Sequence, residues 1–128
     1  MNRTEESRAN MLENVLCRIL GVSDKAYQIR IWIEGKGPEW DDFDETTEYI
    51  ISDGRDILKE YTLFNMTDEQ HRCFKKFFSE YEAFCDGPAL DHYYLPERFI
   101  DTPEWTAITE LAKEVIKSFN YQYRYPSC

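Results

Sequence analysis

The sequence lacks the features of several broad classes of protein. It has no low-complexity tract, and no apolar run approaches the ~18 residues that a membrane-spanning helix needs. It begins Met-Asn-Arg-Thr-Glu-Glu, which is charged where a secretory signal would be apolar. We therefore expect a cytoplasmic protein that does not bind a membrane.

Basic residues are also scarce. The 128-residue chain has 15 Lys and Arg against 25 Asp and Glu, which gives a formal net charge of −10. Because nucleic-acid binders need Lys and Arg to neutralise phosphates, this composition argues against a nucleic-acid partner. It favours a basic partner, or solubility alone.

Recognisable catalytic and metal-binding motifs are missing as well. The four cysteines show none of the two-residue gaps of a zinc or dithiol motif. Cys17, Cys73 and Cys85 lie on or beside apolar helix stripes and should be small buried thiols. The sequence also has no glycine-flanked serine and no phosphate loop. We therefore predict no metal, no cofactor and no catalytic residue, and expect that the protein is not an enzyme.

What the sequence does contain is a series of helix signals. Thr4 is a helix N-cap, Thr67 and Gln70 form a capping box, and Thr102-Pro103 combines an N-cap with a proline at the first helical position. Apolar residues recur every three or four positions behind each start. Four to five such helices with short links predict an all-α, single-domain helical bundle over residues 1–128.

Two segments leave room for other interpretations. Residues 26–34 alternate apolar and polar side chains as a strand does, yet they begin near a helix cap and end near Gly35. We favour helix; the alternative is an α+β fold with a small hairpin from 26–34 and 120–126. A further helix is expected from Asp41 or Asp42 to Tyr61, with Gly54 as the point where it could bend or break.

The negative charge is concentrated in one segment. Residues 34–60 hold ten acidic and three basic residues, a formal charge of −7, and residues 39–48 hold six acids and no base. The simplest interpretation is a solvated helix face with acids near its N-terminus, where the helix dipole favours them.

Aromatic side chains interleave with these acids and suggest a binding surface. Phe43 begins an apolar stripe and should be core, whereas Trp40 lies in the loop after Pro38 and should be an exposed anchor. Interface hot spots are enriched in tryptophan, and surrounding acids would steer a basic partner. The predicted partner-binding residues are Glu34, Glu39, Trp40, Asp41, Asp42, Asp44, Glu45 and Glu48.

Three stretches resemble a family of small bacterial proteins. They are residues 32–39 (WIEGKGPE), 42–46 (DFDET) and 99–105 (FIDTPEW), and the likeness runs from about residue 27 to residue 119. The family is that of the immunity proteins of polymorphic toxin systems, such as contact-dependent growth inhibition. The resemblance implies a cytosolic, stoichiometric inhibitor that blocks the active site of one cognate toxin, often a nuclease with a basic groove.

The acidic segment independently favours the same kind of partner, so we expect an immunity protein that binds a basic toxin domain. Two alternatives stay open. One is a small enzyme with a site in the 86–96 loop, where Asp91 and His92 precede Tyr93 and Tyr94. The other is a regulatory module that binds a basic protein.

Overall fold

The computed structural model describes residues 4–122, most of which lie in helices. In chain order the elements are α1 (Glu5–Val22), α2 (Lys25–Tyr27), a π-helical segment (Gln28–Ile33), α3 (Phe43–Lys59), a 3₁₀ turn (Tyr61–Phe64), α4 (Asp68–Asp86), α5 (Pro88–Asp91), α6 (Pro96–Phe99) and α7 (Pro103–Ser118). No residue between 4 and 122 lies in a β-strand. The predicted all-α bundle is therefore confirmed, with α1, α3, α4 and α7 as its long helices.

The helix starts are the predicted ones. The Thr4 hydroxyl accepts from the backbone N–H of Ser7, three residues on, at 3.0 Å. Thr67 and Gln70 form both bonds of the capping box, at 3.1 and 2.9 Å. Thr102 accepts from the N–H three residues on at 3.2 Å. Each hydroxyl satisfies an N–H that the helix itself leaves without a partner.

Residues 26–33 are helical and Glu34 is the C-cap that follows, which overturns the hairpin alternative for this segment; residues 123–126 lie outside the described residues. The π-helical turn buries Ile31 and Trp32 and leaves Ile29 and Ile33 exposed. Gln28 explains why the segment folds inward. Its fully buried amide donates to the carbonyls that end α1, and its Oε1 accepts from Trp105 Nε1 at 2.9 Å.

Helix α3 runs through Gly54 without a break. A Cβ at this position would lie 3.0 Å from the Phe78 ring of α4. The glycine therefore permits close packing of α3 on α4, and the helix does not break at this position.

The core is one cluster that takes side chains from all four long helices. α4 packs along α7, and α1 packs against both α3 and α7. At one end of the bundle, the ring of Trp105 is buried among other aromatic rings. Its centre lies 4.9 Å from the ring centre of Phe99, 5.2 Å from that of Phe84 and 5.8 Å from that of Phe43. Edge and tilted contacts of this kind stabilise the ring cluster beyond the burial of its area.

The cysteines follow the prediction in part. Cys73 and Cys85 are buried free thiols, whereas Cys17 is buried but disulfide-bonded and is not the free thiol that the sequence predicts.

Across residues 4–122, no cluster of His, Cys, Asp and Glu has the geometry to hold a metal ion. No helix in the same range combines the length and apolar character of a membrane crossing.

Candidate functional site

The acidic segment begins as a non-helical link between the π-helical segment and α3. Residues 34–42 form this link, which we call the acidic loop. Gly35 and Gly37 have φ angles of +65° and +133°, values that glycine adopts without strain. The two glycines turn the chain back so that the rest of the loop runs beside α1 and the π-helical segment.

Asp41 lies inside the protein and accepts four hydrogen bonds. Its Oδ1 accepts from Arg18 Nη1 and from Thr46 Oγ1, both at 2.7 Å. Its Oδ2 accepts from the Tyr27 hydroxyl at 2.7 Å and from Trp32 Nε1 at 2.9 Å. The side chain is only 5% exposed, so this carboxylate is not available to a partner.

A carboxylate is the side chain that this position requires. All four partners of Asp41 present donors, and an ionised carboxylate is an acceptor only. Burial is the main cause that raises the pKa of Tyr27 above its usual range, and the Asp41 carboxylate is the second. The Tyr27 phenol therefore stays protonated and donates its hydrogen bond. Arg18 supplies the compensating charge from α1; its side chain is 9% exposed, and its guanidinium lies 4.5 Å from the Tyr49 ring centre.

Glu39 is also engaged within the protein. Its carboxylate accepts two hydrogen bonds from Arg30, at 3.0 and 2.9 Å. The hydrogen bond from Arg30 holds the pKa of Glu39 below its ordinary value. Glu34, by contrast, is exposed and lies 3.7 Å from the ammonium group of Lys36. Bidentate arginine pairs are geometrically specific, and isolated surface pairs contribute little.

Asp42 has a third role, as the N-cap of α3. Its extended backbone and its carboxylate, which accepts from the Glu45 N–H at 2.7 Å, start the helix. Although the residue is exposed, one of its oxygens is already occupied.

Trp40 is the most exposed large apolar side chain in the described part of the chain, at 91%. Tryptophan is highly buried on average in folded proteins, so such exposure is informative. Trp32 and Phe43, the other aromatic residues of the segment, are core residues.

The first turns of α3 form an open acidic surface. Asp44 and Glu48 are exposed, and Glu45 is 45% exposed with its Oε1 3.7 Å from Arg18 Nη2. Together with Tyr49, Ser52 and Asp53 these residues line a shallow depression of about 560 Å³. We call these six residues the α3 acidic face.

The structure therefore separates the predicted site residues into two groups. Glu39 and Asp41 bind arginines of the protein itself, and Asp41 is buried where the sequence predicts a contact residue. Trp40, Glu34, Asp42, Asp44, Glu45 and Glu48 reach the surface. The sequence-based prediction missed Tyr49, Ser52 and Asp53. A signal was present, because each lies four residues after another member of the face, namely Glu45, Glu48 and Tyr49 in turn, and residues four apart share a helix face.

The 86–96 segment, expected to be a loop, contains the short helix α5 (Pro88–Asp91), and Asp91 and His92 lie at the end of that helix. A depression of about 500 Å³ beside this segment is lined by Asp86 and Tyr94, and neither Asp91 nor His92 lines it. Burial raises the pKa of Cys85, which also lines it, to about 12. This thiol is therefore a poor nucleophile at neutral pH.

Comparison of the chain with family models, with curated proteins and with solved structures found no match in any of the three.

Proposed function

We propose that this protein is an immunity protein that binds one cognate bacterial toxin and neutralises it. The observation that carries the proposal is the exposed Trp40, which shortly precedes the α3 acidic face in the chain. An exposed indole and the exposed carboxylates of Asp44 and Glu48 are suited to a partner that offers an apolar pocket within a basic surface. The substrate groove of a toxin such as a nuclease has this chemistry, and the resemblance of residues 27–119 to immunity proteins supports the same partner.

The charges of the α3 acidic face support fast association with a basic protein. Its depression is lined by acids that include Asp44, Glu48 and Asp53, and no basic residue is among the lining residues. Carboxylates grouped in this way raise the local negative potential and so accelerate encounter with a basic surface, an effect that salt reduces.

The enzyme alternative has less support, because neither Asp91 nor His92 lines the depression beside residues 86–96. The regulatory alternative differs from the immunity proposal only in its partner. Both make the same surface the binding site, so a protection assay distinguishes them.

The test of function is protection. A toxin domain encoded beside the gene is expressed in cells with and without the protein, and wild type should restore growth. W40A should weaken toxin binding about 30-fold or more, the loss typical of a tryptophan hot spot, while leaving the unfolding midpoint unchanged. A wild-type protein that neither binds the toxin nor restores growth would refute the proposal.

The test of the surface is charge reversal. D44K/E48K should slow toxin association about tenfold at low salt and much less at high salt. D68K/E69K is the matched control, because Asp68 and Glu69 are exposed acids in the first turn of α4 and the two double variants change the net charge equally. Equal slowing by both variants would show that net charge acts and that the α3 acidic face is not the contact.

A further inference from the structure

The side chains around Trp40 alternate sharply in exposure. Trp40 is 91% exposed, whereas the side chains of Glu39 and Asp41 on either side are 12% and 5% exposed. In an extended strand successive side chains point to opposite faces, and the exposures of residues 39–41 follow the same alternation. The indole therefore remains in solvent, although burial of its apolar surface would be favourable.

The anchor before Trp40 is tightly built. Arg30 binds both oxygens of Glu39 and donates to the Lys36 carbonyl at 3.2 Å. The Lys36 N–H donates to the Arg30 carbonyl at 2.8 Å, so side chain and backbone close the same turn. A Cβ on Gly37 would lie 2.2 Å from Arg30 Nη1 and 2.8 Å from Glu39 Oε1. A side chain at residue 37 would therefore displace this pair, and the φ angle of +133° disfavours any L residue there.

The anchor after Trp40 reaches three separate elements. Asp41 binds Arg18 of α1, Trp32 of the π-helical segment and Thr46 of α3. These hydrogen bonds fix the backbone of residue 41 relative to the bundle. Residue 40 is therefore held between two neighbours whose positions are set independently.

We propose that Glu39 and Asp41 are positioning residues that hold Trp40 outward in its binding orientation before the partner arrives. This inference rests on the proposed function, since it assigns the exposed indole to the toxin contact. An anchor that is already ordered loses less conformational freedom on binding, which strengthens the complex without an added contact. The gain should appear mainly in the dissociation rate, as most affinity differences between related complexes do.

Glu39 is the residue on which to test this, because removing the buried Asp41 would also destabilise the core. E39Q and E34Q each remove one negative charge from the acidic loop, but only Glu39 makes the bidentate pair. The protein is labelled with 5-fluorotryptophan, and fluorine NMR relaxation reports on Trp40. The signals of Trp32 and Trp105, both buried, serve as internal references.

E39Q should increase the mobility of Trp40 and raise amide exchange of residues 36–41 about threefold, whereas E34Q should change neither. With toxin, both variants should associate at similar rates, and only E39Q should dissociate faster. Unchanged Trp40 relaxation in E39Q, or equal loosening in E39Q and E34Q, would overturn the inference. These measurements on the free protein are independent of toxin binding, so failure of the proposed function is recognised separately, by a wild type that binds no toxin.

Discussion

The acidic loop and the α3 acidic face carry similar charge but use it differently. In the loop, Glu39 and Asp41 are held by Arg30 and Arg18 and have little exposed area. On the helix, Asp44 and Glu48 extend into solvent. One half of the acidic segment builds structure, and the other half remains available to a partner.

The difference comes from the surrounding elements. The loop crosses α1 and the π-helical segment, each of which supplies an arginine at hydrogen-bond distance. On the outer face of α3 only Glu45 lies near one of these arginines, at 3.7 Å from Arg18, whereas Asp44 and Glu48 are exposed and form none of the ion pairs seen in residues 4–122. Charge density alone therefore does not identify a binding surface; what decides is whether another part of the chain supplies the counter-charge.

The sharpest test of this difference is a change at Asp41. D41N keeps the shape of the side chain but directs an amide N–H₂ at a donor, Arg18 on one side or Trp32 Nε1 on the other. It also removes the close charge partner of the buried Arg18, which then keeps only the partly exposed Glu45 at 3.7 Å. We expect a loss of about 3–5 kcal/mol in the free energy of unfolding, measured by urea denaturation.

D44N is the matched control on the exposed half. It removes the same charge two helix positions past the Asp42 cap and should change the unfolding free energy by less than about 0.5 kcal/mol. Similar losses for D41N and D44N would contradict the separation of the two halves.

The glycines of the acidic loop provide a second, smaller comparison. G35A and G37A both place a side chain at positive φ, but only the Cβ at position 37 meets neighbouring atoms. G35A should cost about 1 kcal/mol of unfolding free energy, because φ +65° lies in the left-handed region that an L residue can adopt. G37A should cost about 2–3 kcal/mol, because φ +133° lies outside that region and its Cβ also displaces the pair of Arg30 and Glu39. Thermal unfolding measures both, and equal losses would show that neither the φ angle of residue 37 nor the displaced pair adds to the cost.

The sequence was sufficient to predict the features that local chemistry decides. Hydroxyl caps and three- to four-residue apolar spacing predicted the long helices, because the groups involved lie within one or two turns of each other. The position of Trp40 between Pro38 and a helix cap likewise predicted its exposure.

The two internal networks could not be predicted in this way. Arg18 meets Asp41 across 23 residues, and Gln28 meets Trp105 across 77. Such pairings depend on how helices pack, which residue spacing does not specify. A partial signal existed, since Arg18 lies in the apolar stripe of α1 and a buried charge needs a partner.

The smallest predicted effect concerns pH and separates the paired from the unpaired acids of the loop. The pKa of Glu39 is lowered by its hydrogen bond from Arg30, so the unfolded chain binds a proton at Glu39 at a higher pH than the folded protein does. The stabilisation from this pair is therefore complete above the ordinary carboxyl pKa of about 4.3. It is lost as the pH falls through the lower folded value.

A double-mutant cycle of E39Q and R30Q separates the stabilisation due to this pair from that of the other carboxylates. The free energy of unfolding of each variant is measured by urea denaturation at pH values from 7 to 3. The coupling between the two residues should be constant from pH 7 to about pH 5 and should decline toward pH 3. Because the pair lies at the surface, 0.5 M salt should reduce the coupling at neutral pH. A coupling that is absent at pH 7 would mean that Gly37 and the backbone hydrogen bonds hold the turn without the ion pair. The positioning of Trp40 would then rest on Asp41 alone.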